Sequence, residues 1–352
     1  MTLLELGLIL LSALSQGVPV KPTAPPTSAS EIASLRAKAE SGDPASQFAL
    51  GQAYDFGAGV SQDDDRARAW YLKSAEQGYA PAQNSLGIMY RSGRGGVESK
   101  ELAVEWYRKA ARQNYAKAMF NLGTAYFNGD GVALDDVTAY AWFLAAKDHG
   151  SDAARDAVDR MTGTLARWQV SDAYGKLAGM YDAGTEVQQD VPAALNCYRK
   201  AAELGDAKAR VTFAQFLVRQ GGDQNFREAL HACEEAAKEP YSPAGMCAGV
   251  LHEKGIGAVA DLAEAAKWYN KSAQLGNALA MERLSEMYWN GSGVKQDRVT
   301  AYAYALLAST ADLPDAKRNR ENYEKELSAK DVEKGKKQAS NWLKEHPVLG
   351  FK

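Results

Sequence analysis

A spacing of 36 residues, held by several independent positions, most limits what this 352-residue chain can become. Trp70, Trp106 and Trp142 keep it, and so do Leu50-Gly51, Leu86-Gly87 and Leu122-Gly123. Tyr54, Tyr90 and Tyr126 share the step, as do Gly57-Ala58-Gly59, Gly93-Arg94-Gly95 and Gly129-Asp130-Gly131. A second run follows. Leu177-Ala178-Gly179-Met180-Tyr181 and Gly184 open it, Cys197 stands where Trp stood, and steps of 36, 35 and 36 lead to Cys233, Trp268 and Tyr304. Trp142 and Cys197 are one period plus 19 residues apart. A fixed period of this length marks a repeat architecture. The reading is three repeats, an insertion over 151–171, and four more repeats.

Each unit resolves into two helices. In the first copy, helix A covers roughly 43–56, where Ser46, Leu50 and Tyr54 recur four residues apart with Gly51 beside them, one apolar face of a helix. The Gly-x-Gly ends it, since glycine takes the left-handed C-terminal position without a Cβ clash. Asp63, Asp135, Asp190 and Asp297 stand just before helix B, where a carboxylate caps unpaired N–H groups and meets the positive helix end. Helix B carries Ala67, Trp70, Tyr71 and Ala75 on one face, and the Trp series is expected in the core. No stretch alternates with a strand period. A hairpin of about 36 residues cannot bury its apolar face alone and must lean on its neighbours. The expected fold is therefore all-α, an α/α superhelical solenoid of about seven helical hairpins with helical caps.

The expected organisation runs as follows. Residues 1–30 form a signal peptide and Pro-rich linker, 31–150 the first array, 151–171 an inserted helix, 172–310 the second array, and 311–352 a C-terminal helical cap. A seam between the arrays is expected at the insertion. The apolar run Leu3–Leu14 is too short for a membrane span, which needs about 20 residues. It fits the hydrophobic region of a secretory signal, with Ala13 and Ser15 at a cleavage site, although no Lys or Arg precedes it and Glu5 interrupts it. Export to the periplasm or medium is the expectation; a cytoplasmic protein with an uncleaved N-terminus is the alternative.

Composition excludes several functions. Lys and Arg number 41 against 44 Asp and Glu, a net charge of -3 without the basic footprint of a nucleic-acid binder. Three cysteines exclude a disulfide-framework mini-protein, and His149, His231, His252 and His346 are too scattered for a metal site. The Gly-x-Gly elements follow a helix rather than a strand, so they are turns and not nucleotide loops. No nucleophile elbow or zinc-binding His pair occurs. No cofactor, no metal and no catalytic residue is expected. Cys197 and Cys233 occupy equivalent positions on stacked helices, which lie about 8–10 Å apart, beyond disulfide reach. Cys247 lies on the next helix A, and whether it pairs with Cys233 stays open.

These residues resemble the Sel-1-like repeat family, relatives of the tetratricopeptide repeats. The third copy carries the pattern almost throughout, in Ala118, Leu122, Gly123, Tyr126, Gly129, Gly131, Val132, Asp135, Ala139, Trp142, Ala145 and Ala146. The resemblance covers about residues 39–316. The fifth copy departs most, with Ala214 for the packing glycine and Gln220-Gly221-Gly222 at the turn, which puts that turn in doubt. The resemblance implies protein–protein scaffolding or adaptor work, often in the bacterial envelope. One cysteine-rich branch is linked to penicillin binding and makes a β-lactam or cell-wall hydrolase the alternative. The cysteine pair per repeat of that branch is missing here, so its activity is not carried over.

A binding face follows from helical phase. With about 100° per residue, positions 47, 50, 51 and 54 point one way and 45, 48, 52, 55 and 56 the other. The candidates for a protein or peptide partner on this concave A-helix face are Phe48, Gln52, Phe56, Asn84, Ile88, Arg91, Phe120, Thr124 and Phe127. Apolar groups off the core face mark interaction sites; packing against neighbouring A helices is the competing reading. Later copies place Met246, Glu253, Glu282, Glu286 and Trp289 there, a more acidic set.

Overall fold

The structure, a computed structural model, describes residues 28–346. The apolar run at 3–14 and its cleavage site lie outside the described residues. Eighteen α-helices and one short 3-10 turn occur among the described residues, with no strand. The chain is all-α and built of stacked hairpins, as the repeat requires. It divides into two compact units between Ala194 and Leu195, beyond the insertion at which the seam was expected.

The first unit begins with α1 (Ala29–Glu40), a helix that the repeat pattern does not contain. A capping box starts it: Ser28 Oγ accepts from Glu31 N at 3.2 Å, and Glu31 Oε2 accepts from Ser28 N at 3.1 Å. Three hairpins follow, α2 (Pro44–Phe56) with α3 (Asp64–Glu76), α4 (Ala80–Ser92) with α5 (Lys100–Ala111), and α6 (Ala116–Asn128) with α7 (Asp136–Asp148). The inserted segment forms α8 (Asp152–Thr162) against α7, held in part by the hydroxyls of Tyr140 and Thr162 at 2.7 Å. Then comes α9 (Arg167–Ala183), a helix A lengthened backwards into the expected insertion. Helix α10 (Val191–Leu204) carries the division between the units.

The second unit holds the hairpins α11 (Ala207–Gln220) with α12 (Asp223–Ala236), α13 (Ser242–Lys254) with α14 (Leu262–Gln274), and α15 (Ala278–Asn290) with α16 (Arg298–Ala308). The cap is α17 (Pro314–Glu326) and α18 (Ala329–Glu345), both packed on α16. Trp342 packs on the last core cluster, while Leu343 is exposed. The fifth hairpin forms despite its departures. Its turn is two residues, with Gly221 and Gly222 at φ 73° and 91°. Glu234 replaces the B-helix tyrosine of other copies, so no ring has to be seated at Ala214.

The predicted caps are in place. Asp63 Oδ1 accepts from Arg66 N and Asp135 Oδ1 from Thr138 N, both at 2.9 Å. Asp190 and Asp297 do the same for Ala193 N and Thr300 N at 2.9 and 3.1 Å. Gly57 closes α2 in the left-handed region at φ 68°, and its counterparts Gly93, Gly129, Gly184, Gly255 and Gly291 repeat that geometry.

Packing corrects the weight placed on tryptophan. Trp142 is buried, but Trp70, Trp106 and Trp268 are only half-buried. Each of those three rings lies under the ammonium group of the lysine one turn on: Lys73, Lys109 and Lys271 sit 4.1, 3.7 and 5.5 Å from the ring centres. The next residue along helix B is the one that is fully enclosed, as Tyr71, Tyr107, Phe143 and Tyr269. Its ring lies flat on the glycine of helix A. A Cβ on Gly51, Gly87, Gly123 or Gly249 would stand 2.6, 2.6, 2.6 or 2.4 Å from the ring of that partner. In these four hairpins the glycine and the aromatic therefore form one joint, which explains why they recur together.

Candidate interaction face

The nine candidate residues do not form one open surface. Phe48, Gln52, Asn84, Thr124 and Phe127 are buried, Ile88, Arg91 and Phe120 are half-buried, and Phe56 is 44% exposed. Phe48 packs on Tyr71 and on Tyr79 of the next hairpin, ring centres 5.5 Å away in each case. Phe120 packs 5.4 Å from Phe143. Asn84 Oδ1 accepts from Asn121 Nδ2 at 2.8 Å, joining successive A helices, and Thr124 Oγ1 donates to Phe120 O at 3.1 Å. The physical reason is that α2 and α4 each pack on their own B helix and on the preceding helix, and that side chains of the next copy also meet them. More than half of such a helix is then covered. A two-sided helical-phase argument assigns too much of it to solvent.

The joints between the two helices of a hairpin are polar as well as apolar, and sequence reasoning missed most of this. Gln77 Nε2 donates to Gln47 Oε1 at 2.7 Å, and Gln113 Nε2 to Gln83 Oε1 at 2.8 Å. Ser74 Oγ donates to Pro44 O and Ser272 Oγ to Ser242 O, both at 2.6 Å. Each of these repeats at a fixed register, a signal present in the period but not in any single segment.

Ionisable groups gather where helix A ends. Tyr71 Oη donates to Asp55 Oδ2 at 3.0 Å, and Arg94 of the next copy grips Asp55 and Asp64, the latter at 2.6 Å. Burial, with the Asp55 charge behind it, pushes the Tyr71 hydroxyl well above its ordinary range. Tyr269 repeats the arrangement by donating to Glu253. Elsewhere in the second unit, Arg283 pairs with Glu286 at 3.2 Å. Trp289 lies stacked on Tyr323 of the cap, ring centres 3.8 Å apart. Burial pushes the Asp135 carboxyl up, but hydrogen bonds from Thr138 and the ion pair with Lys176 at 3.0 Å outweigh it and hold it at about 2.

Cys233 and Cys247 are joined in a disulfide with Cα atoms 5.8 Å apart, tying α12 to α13. Cys197 is buried in α10. Among the described residues no helix is long and apolar enough to cross a membrane.

The model of the Sel1 repeat family matches residues 44–79, 80–115, 116–151, 171–206, 245–277 and 278–313, well over half of the chain. The chain belongs to the Sel1 repeat family. Proteins with Sel1 repeats generally serve as protein–protein interaction scaffolds. Of the two internal stretches that the family model skips, 152–170 holds the inserted helix α8 and 207–244 the divergent hairpin α11–α12. Among curated proteins, the chain is 32% identical over 108 residues to the human protein sel-1 homolog 2, a match covering 30% of this chain and 16% of that protein. It thus spans about a sixth of that relative's length. Among solved structures, c5321, a protective antigen of uropathogenic Escherichia coli strains with an SLR fold, is 30% identical, covering 90% of this chain and 72% of that one at a TM-score of 0.46. A Sel1 repeat protein from Oxalobacter formigenes is 27% identical over 82% of this chain and 79% of that one, at a TM-score of 0.39.

Proposed function

We propose that this Sel1-repeat protein is a non-catalytic scaffold that captures a peptide or protein on the A-helix face of its first unit, in the bacterial cell envelope. The observation that carries the reading is the state of that face. Phe56 is 44% exposed, and Ile88, Arg91 and Phe120 remain partly open around it. The buried candidates Phe48, Gln52, Asn84, Thr124 and Phe127 form the floor beneath them. Apolar groups held on a rigid helical frame suit capture of a peptide without reorganisation. Among the described residues, most ionisable groups of this face and its joints are engaged in ion pairs and hydrogen bonds within and between repeats, which favours a scaffold over a hydrolase. The Cys233–Cys247 disulfide supports an oxidising compartment, because such bonds persist outside the reducing cytosol.

The test is affinity capture with identified prey, comparing the full chain with a Phe56→Ser and Ile88→Ser double variant. Loss of the identified partner with an unchanged far-ultraviolet dichroism spectrum is expected. Undiminished capture overturns the face. Turnover of a chromogenic β-lactam above blank by the purified protein overturns the non-catalytic reading.

A further inference from the structure

The repeats provide an internal comparison at one point of this face. Asp55, Asp64, Tyr71 and Arg94 of the first joint correspond, 36 residues on, to Arg91, Lys100, Tyr107 and Asp130 of the second. The tyrosine is kept and every charge is reversed. In the first joint all groups are partnered: Arg94 holds both carboxylates, and Tyr71 Oη donates to Asp55 Oδ2 at 3.0 Å. In the second, Asp130 is taken by Lys100 at 2.7 Å. The charge of Glu98 acts on Lys100 as well. Arg91 forms neither an ion pair nor a hydrogen bond with any described residue. Tyr107 Oη is buried and has no hydrogen-bond partner among the described residues. Where Tyr71 and Tyr269 find a carboxylate on the same turn of helix A, Tyr107 has Arg91 at the corresponding position, and the charges of both Arg91 and Asp130 reach it.

A buried hydroxyl without a partner is costly, and native structures seldom leave one without a reason. A hydroxyl donor beside an unpaired guanidinium is complementary to one kind of group, a carboxylate, which accepts from both at once. We infer that Arg91 and Tyr107 form a subsite for a carboxylate of the bound peptide, which occupies the place that the Asp55 carboxylate fills within the chain one repeat earlier. The inference rests on the A-helix face being the capture surface and names the chemistry of what it captures. Arg91 is left without an ion pair of its own, so an acidic peptide is the class of partner that fits. Arg91, half-buried on this face, makes the first contact.

The experiment uses the full chain labelled with [13Cζ]tyrosine and three blocked peptides of alternating sequence. One pairs alanine with glutamate, one pairs alanine with glutamine, and one is the glutamine peptide with a free C-terminal carboxylate. The glutamate peptide is expected to shift the Tyr107 resonance, assigned with Tyr107→Phe, and to bind at least about tenfold more tightly than the blocked glutamine peptide. Arg91→Gln is expected to erase that preference. An equal, Arg91-dependent gain for the free-terminus peptide supports the subsite with a chain end as its source. Arg91→Asp puts back only the carboxylate that Tyr71 finds in Asp55, giving Tyr107 an acceptor within the chain, so it should abolish binding of the glutamate peptide. Equal binding of all three peptides, or a preference that survives both Arg91 variants, overturns the inference. If the peptides fail this way while Phe56→Ser and Ile88→Ser still abolish capture of the identified partner, the face stands and only the carboxylate subsite falls.

Discussion

Substituting Gly51 by alanine tests the joint between the two helices of a hairpin. A Cβ at Gly51 would lie 2.6 Å from Tyr71 Cδ1 and 2.8 Å from Tyr71 Cε1, whereas ordinary contact begins near 3.4 Å, so the ring must retreat by roughly 0.8 Å. It has nowhere to go. Tyr71 is 1% exposed, and its hydroxyl is fixed by the 3.0 Å bond to Asp55, so the ring cannot slide away without stretching that bond. Overpacking of this kind costs about 1–3 kcal/mol. Alanine also returns about 1 kcal/mol of helix propensity, which partly hides the loss. The control is Gly175→Ala in α9 of the same unit, where a Cβ meets nothing within 4 Å. That variant should gain about 0.5–1 kcal/mol. Urea denaturation of both variants, followed by dichroism, should therefore place Gly51→Ala about 1–3 kcal/mol below Gly175→Ala. Equal stability of the two would refute the idea that the glycine exists to seat the ring.

Other outcomes follow from the same packing. Tyr269→Ala should cost about 3–5 kcal/mol, more than Trp268→Ala, because the tyrosine is fully enclosed and the indole half-buried; comparison of the two urea midpoints decides it, and a larger loss for the indole would contradict the order. Cys247→Ser opens a loop closed by residues 14 apart and should lower the stability of the second unit by about 3 kcal/mol, read as a fall in its melting temperature. Asp135, held at about 2, is depressed relative to an unfolded carboxyl near 3.9. Its contribution is thus present above pH ~4 and lost as pH falls toward 2. Being partly exposed and solvent-screened, that contribution is under about 1 kcal/mol. Asp135→Asn should flatten this limb of the stability–pH profile, and an unaltered limb would show that the ion pair with Lys176 contributes nothing.

The hairpins were legible in the sequence because each carries its own punctuation. Asp63 caps helix B, Gly57 closes helix A, and both act locally, so a reader of one segment can place them. The insertion helix and the charged C-terminal cap were legible for the same reason. Helix α1 was not, since it belongs to no repeat and its capping box at Ser28 and Glu31 follows directly on a Pro-rich stretch. The prominence of tryptophan misdirected the core assignment by one residue. A 36-residue step cannot tell Trp70 from Tyr71, as both keep the period; only the seat at Gly51 shows which ring is enclosed. The candidate face was half legible. Phase placed Phe48, Asn84 and Thr124 away from the core stripe of their own helix, but Phe48 meets Tyr79 and Asn84 meets Asn121 of the next copy, contacts that a single-helix projection does not contain. The orphaned hydroxyl of Tyr107 required the three-dimensional comparison of two joints, although the exchange of Asp55 for Arg91 was visible in the letters.

The dependence of every hairpin on its neighbours is tested most directly by far-ultraviolet dichroism of residues 80–115 alone, measured beside residues 44–151. Nearest-neighbour stacking predicts that the single hairpin is largely unfolded in water, with Leu86 and Tyr107 deprived of their cover, and that the three-hairpin fragment is helical and melts cooperatively. A lone 80–115 hairpin that is fully helical and unfolds with a sharp transition would contradict it.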